Sequence, residues 1–231
     1  MMMDPLYWML ALPGLVLGMV ASYLVKSTFA KYAQVGARSG LTGAEAARQM
    51  LYAQGVQDVE ISETHGFLSD HYNPKTHSLH LSSEVFHGQS LSSIGVACHE
   101  AGHALQQAQG YALMGLRATL LPVTIVGQNF APILLMIGLG TGMLGLVKIG
   151  VLLFGVAVLF SIITLPIEWD ASARAKRYIS SAGVVTEAEY PYAAKVLNAA
   201  FLTYLAGAIT AVLQLLYFLM RSGLLGGRRN D

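Results

Sequence analysis

The sequence predicts a mainly α, integral-membrane helical protein with about four transmembrane helices and a small α+β region between them. Two observations predict the membrane part. Hydrophobic residues make up 54% of the 231 positions and charged residues only 12%, too little polar surface for an ordinary soluble globule. Charge is also missing from stretches long enough to cross about 30 Å of hydrocarbon. A third observation, short alternating runs between helix signals in the polar segment, predicts the α+β region.

Pro5 to Val25 and Val196 to Met220 contain no charged residue, and Ala118 to Ile167 contains only Lys148, beside a glycine-rich run from Gly138 to Gly145 that can turn the chain. These read as spans at about 5–25, 118–140, 146–167 and 196–220, with aqueous segments at about 42–110 and 168–195, all within one membrane-embedded domain covering 1–231. Met1 to Pro5 carries no basic residue and no clear small-residue cleavage site follows, so the first span is expected to be an anchor rather than a signal peptide. If that span exits into the cytoplasm, Lys26, Lys31, Arg38, Arg48, Lys75, Arg117, Arg174, Lys176, Arg177 and Lys195 lie inside, while Lys148, Arg221, Arg228 and Arg229 lie outside. Most of the basic residues therefore obey the positive-inside rule and the tail does not. A net charge of +1 offers no polyanion-binding signature, so no nucleic-acid partner is expected. The single cysteine, Cys98, excludes an intramolecular disulfide.

Along the polar segment, Lys26 to Arg38 reads as a juxtamembrane helix ended at Ser39-Gly40. Thr42 with Glu45 fits a capping box opening a helix from about Gly43 to Gln54. Val56 to Ser62 alternates like a half-buried strand, and a second strand is expected from Ser78 to Ser82, with Asn73-Pro74 marking a turn between them in a small antiparallel hairpin or sheet. From Ser90 to Gln109 the pattern is helical and Gly110 ends it. Glu168 to Ser181 continues the third span as a helix stopped by Gly183, and Thr186, Glu187 and Glu189 open the last one.

The helix from Ser90 contains His99-Glu100-Ala101-Gly102-His103. Histidines at i and i+4 fall on one helical face, where both imidazoles reach a single Zn2+ at about 2.0 to 2.1 Å. Glu100 lies beside that face, where a carboxylate can take a proton from an activated water and pass it to a leaving amine. A glutamate between two histidines in an otherwise small and apolar segment is costly to bury unless something cationic sits beside it. A catalytic zinc usually takes a third protein ligand, yet no His, Asp or Glu follows closely after His103. The next acids are Glu168 and Asp170, where a span meets water. If both ends of the hairpin surface on one side, Glu168 returns close to His103. Asp170, two residues on, points to another helical face and suits a role behind the ligands, and either residue is also a plain carboxylate favoured at a helix N-terminus.

Asp70, His71 and Tyr72 are candidates for contact with the site or substrate, and Arg174, with Arg177, for oxyanion stabilisation or lipid-headgroup contact. The remaining histidines, His65, His77, His80 and His87, form no i, i+4 pair and read as surface or hydrogen-bonded residues. Cys98 points away from His99 and reads as a small core residue.

Leu68-Ser69-Asp70-His71-Tyr72, the run from His99 to Gln106, and Leu165-Pro166-Ile167-Glu168-Trp169-Asp170-Ala171-Ser172 together resemble the YugP-type membrane zinc metallopeptidases over nearly the whole chain. That family is similar in plan to the HtpX and CAAX-prenyl-protease group, in which an H-E-x-x-H helix facing the cytoplasm is completed by a glutamate on a later helix. The resemblance implies a zincin-like catalytic region, Glu168 as third zinc ligand, and proteolysis. An Asp commonly stands four residues after that glutamate in the HtpX-like pattern; here Ser172 does, which leaves the partner behind the ligand open.

The expectation is a multi-pass endopeptidase of the cell membrane, acting on peptide or protein substrates, membrane-associated or misfolded, at a cytoplasm-facing site. A strand such as Ser78 to Ser82 is expected to pair with an extended peptide. The competing classes are a zinc-binding membrane scaffold without turnover, which needs no general base at Glu100, and a transporter with an intramembrane His/Glu ion path, which the placement of the His-Glu helix outside the spans disfavours.

Overall fold

The computed structural model describes residues 4–224, so Arg228 and Arg229 of the basic tail lie outside the described residues. The elements, in chain order, are α1 (Pro5–Ala33), α2 (Gly43–Ala53), β1 (Glu60–Thr64), β2 (His71–Asn73), β3 (Ser78–Ser82), α3 (Ser83–Phe86), α4 (Leu91–Ala108), α5 (Ala112–Thr141), α6 (Leu144–Ser181) and α7 (Tyr190–Arg221). The fold is mainly α with one small sheet. Helices α1, α5, α6 and α7 are each long and apolar enough to cross a membrane.

All four outrun the spans expected of them. Lys26 to Arg38 does not start a separate helix, because nothing between Val25 and Lys31 breaks the backbone ladder: α1 runs unbroken to Ala33, and the Ser27 hydroxyl turns back onto the Tyr23 carbonyl at 2.7 Å. The turn expected between Gly138 and Gly145 is made at Gly142, whose φ of +73° lies in the left-handed region.

Two compact units form. The first comprises the described parts of Met1–Ala21, Gly115–Leu165 and Thr203–Asp231. Within it α5 and α6 approach closely at Gly127, where a Cβ would lie 2.7 Å from the Leu153 carbonyl oxygen. Such contact between small residues and backbone is how helices associate in lipid, where burying apolar surface gains little. Met9, Met136 and Leu152 are 62–69% exposed, as a lipid-facing surface requires. Asp4 ties the start of α1 to the end of α7, accepting from the Tyr217 hydroxyl at 3.1 Å and from Arg221 Nε at 3.3 Å.

The second unit comprises Ser22–Met114 and Pro166–Leu202. Its core is built on α4, which is buried over nearly its whole length and packs against Ala47, Met50 and Leu51 of α2, Leu79 and Leu81 of β3, Ala175 and Ile179 of α6, and Leu197 of α7. The Thr42 and Glu45 capping box is present at the start of α2, and Ser90 caps α4 through the Ser93 amide. Cys98 is fully buried in this core, and burial pushes its thiol up to about 12.

The sheet departs from expectation in three ways. Its first strand lies at Glu60–Thr64 rather than Val56 to Ser62, and it pairs with β3 in parallel, not antiparallel. The residues read as a loop before Asn73-Pro74 form β2, which pairs antiparallel with β3, giving the order β1-β3-β2. The Ser78 to Ser82 strand therefore lies in the middle of the sheet. Both of its edges are occupied, so it cannot take an added peptide strand; the free edges belong to β1 and β2.

Candidate metal centre and active site

His99 and His103 lie one turn apart on α4, 9% and 7% exposed, and their ring centroids stand 4.8 Å apart with planes inclined by 80°. Glu168 comes from α6 and is 2% exposed. One of its oxygens, Oε2, lies 3.2 Å from His99 Nε2 and 3.5 Å from His103 Nε2. In a tetrahedral site with ligand bonds of 2.0 to 2.1 Å, ligand atoms are separated by about 3.3 Å, so the spacing fits a zinc ion held by this trio. Among the described residues it is the one group of three or more His, Cys, Asp and Glu with ligand atoms this close, all within 4.8 Å of one another.

The close approach of α6 to α4 depends on Gly102. A Cβ there would lie 2.7 Å from the Ala171 carbonyl oxygen and 3.1 Å from its Cα, a backbone neighbour with no flexible end to move aside. Gly102→Ala should therefore push the two helices apart at the site, lowering stability by about 1–3 kcal/mol and weakening zinc affinity. Thermal unfolding and a zinc competition titration read the two effects separately.

The outward nitrogens of both rings are engaged. His99 Nδ1 lies 3.1 Å from the Ser172 hydroxyl, and His103 Nδ1 lies 2.9 Å from Gln106 Oε1. Ser172 thus stands behind His99. Asp170 accepts from Gln106 Nε2 at 2.9 Å and from Arg174 Nε, and Arg174 also donates to the side-chain oxygen of Gln109 at the end of α4. Arg174 is turned to these two partners rather than to the His-His-Glu cluster. Burial opposes a charge on His103, but hydrogen bonding to Glu168, the Glu168 and Glu100 charges, and the Gln106 contact outweigh it, so its pKa is raised above the ordinary histidine value.

Glu100 is buried on the same helix, and its Oε2 accepts the Tyr72 backbone N–H at 3.0 Å. Antiparallel pairing turns alternate residues of an edge strand outward, and Tyr72 is the outward residue of β2. The Leu68 to Tyr72 segment therefore reaches the site through backbone. Its side chains are used elsewhere: Asp70 accepts from the Ser82 amide at 2.7 Å and from the Ser82 hydroxyl, while His71 stacks on His80 and contacts the Ser69 carbonyl. His80 lies between the Ser62 and Ser78 hydroxyls, His87 pairs with Glu63, and His77 lies 3.7 Å from Asp58. Of the expected Asp70-His71-Tyr72 contact, Tyr72 reaches the site through its backbone, while Gly102 and Gln106 are the contributors that sequence reasoning gave no role. Only Gln106 left a local signal, three residues after His103 on one helical face.

A family profile described as "Putative neutral zinc metallopeptidase" matches residues 7–223. The chain belongs to this zinc metallopeptidase family. It is also 43% identical over 215 residues to a Bacillus subtilis (strain 168) protein named "Putative membrane protease YugP", an alignment covering 93% of this chain and 96% of that one. No solved structure matches it. As a member of the zinc metallopeptidase family with four apolar helices, the chain is a multi-pass membrane protein whose buried His-His-Glu group is suited to Zn2+.

Proposed function

We infer that this protein is a zinc-dependent membrane endopeptidase that hydrolyses peptide bonds of membrane-associated or misfolded proteins, with its site facing the cytoplasm. The observation that carries the reading is the placement of Glu100, a buried carboxylate on the helix of the two histidines, held by a strand-edge amide beside a cluster that fits zinc. A purely structural metal site has no use for such a group.

His99, His103 and Glu168 would hold the ion, which when bound polarises a carbonyl and acidifies water. Every other part of the reaction falls to the chain. With Oε2 fixed by the Tyr72 N–H, Glu100 has Oε1 to accept a proton from the attacking water and return it to the leaving amine.

Detergent-purified protein should carry about one zinc per chain and cleave a broad peptide set. A chelator should abolish cleavage, and added zinc should restore it. Protein that binds zinc but cuts nothing would point to a non-catalytic zinc scaffold.

The buried thiol makes orientation measurable. With its pKa near 12, Cys98 should resist alkylation at neutral pH until the protein is unfolded, as intact mass will show. A Lys75→Cys variant, placed on an exposed loop, should then be the only site labelled in native vesicles. Labelling by an impermeant maleimide in inverted but not right-side-out vesicles is expected for a cytoplasmic site, and the reverse pattern would overturn that orientation.

A further inference from the structure

Gln106 is fully buried, and its amide has partners on both sides. Its nitrogen faces two groups that can only accept, the Ile167 carbonyl oxygen at 2.8 Å and the Asp170 carboxylate at 2.9 Å. Rotating the amide by half a turn would set its oxygen against both of them, replacing two hydrogen bonds with two repulsions. The orientation is therefore determined by chemistry. Its oxygen must face His103 Nδ1, and an amide oxygen can only accept.

We propose that Gln106 is a positioning residue for the metal site: it fixes the proton of neutral His103 on Nδ1, leaving the Nε2 lone pair directed at the point shared with His99 and Glu168. The assignment rests on the zinc-site reading above. Asp170 and Arg174 extend it. Arg174 holds Asp170 from one side and the end of α4 from the other, and Asp170 in turn holds the Gln106 nitrogen. The acceptors on α6 thus set which ring nitrogen of a candidate ligand on α4 must donate. The two histidines are supported unequally. Ser172, behind His99, has a hydroxyl that can donate or accept, so it accommodates either tautomer, whereas Gln106 admits one.

Zinc affinity, measured by competition with a chromophoric chelator on the full-length protein in detergent, separates this from a packing role. Gln106→Leu should weaken zinc binding by about 10- to 100-fold, the usual cost of losing a partner behind a ligand. Nitrogen-15 spectra of the histidine rings in zinc-free wild type, taken where the imidazoles are neutral and assigned with a His103→Ala control, should show the His103 proton on Nδ1. That measurement stands even if a variant fails to fold. The proposal is overturned by a proton on Nε2 or by wild-type affinity in Gln106→Leu. If wild type itself binds no zinc, the metallopeptidase reading falls as well; if wild type binds and Gln106→Leu binds equally, only the role of Gln106 falls.

Discussion

Glu100→Gln is expected to lower peptide cleavage by about 10²- to 10⁴-fold, the usual contribution of a positioned general base, while leaving zinc content near that of wild type. The substitution suits the site because a glutamine side chain has the length of glutamate and an oxygen that can still accept the Tyr72 N–H. Packing around position 100 and the ties between α4 and β2 should persist. What disappears is the capacity to take up a proton and release it within one turnover. Metal analysis and single-turnover cleavage on the same preparation would test this. Equal cleavage by the variant would remove Glu100 from the chemistry, and joint loss of metal and activity would mean that it supports the cluster instead.

The second large effect is expected at Glu168. Replacing it with glutamine preserves volume but turns a charged carboxylate shared by two imidazoles into a neutral amide. Zinc affinity should fall by more than about 100-fold, beyond the loss typical of a residue behind a ligand, and cleavage should fall with it. Asp170→Asn, only two residues away, is the informative comparison: its carboxylate meets Gln106 and Arg174 rather than the rings, so its effect on zinc should be far smaller. Competition titrations of the two variants side by side would rank them, and a larger loss for Asp170→Asn would shift the third-ligand assignment away from Glu168.

Much of the fold was legible because its signals are local. The Thr42 and Glu45 pair, Gly110 after α4, and uncharged stretches longer than the bilayer is thick can all be read within one turn or one window of sequence. The sheet was harder. β2 is three residues long and ends at Asn73-Pro74, so its strand character comes from pairing with β3 and not from its own composition. The parallel pairing of β1 with β3 likewise depends on where the chain returns after β2. At the site, the i, i+4 histidines announce themselves on one helical face, whereas the Tyr72 amide carries no sequence signature because any residue but proline supplies one. The partner of Glu168 was open in the sequence because Ser172 departs from the HtpX-like pattern. In the fold the Ser172 hydroxyl lies behind His99.

Patterns such as H-E-x-x-H treat their two middle letters as interchangeable blanks. In this architecture they are unequal. Ala101 is a packed core position where a small apolar side chain is accommodated, while the next position borders the backbone of a neighbouring helix with no clearance for a side chain. The informative signature here is therefore H-E-x-G-H. A library that varies both blanks freely should return functional clones at the first and almost none at the second, and a distant relative with a bulky residue there would have to bring in its third ligand along a different path.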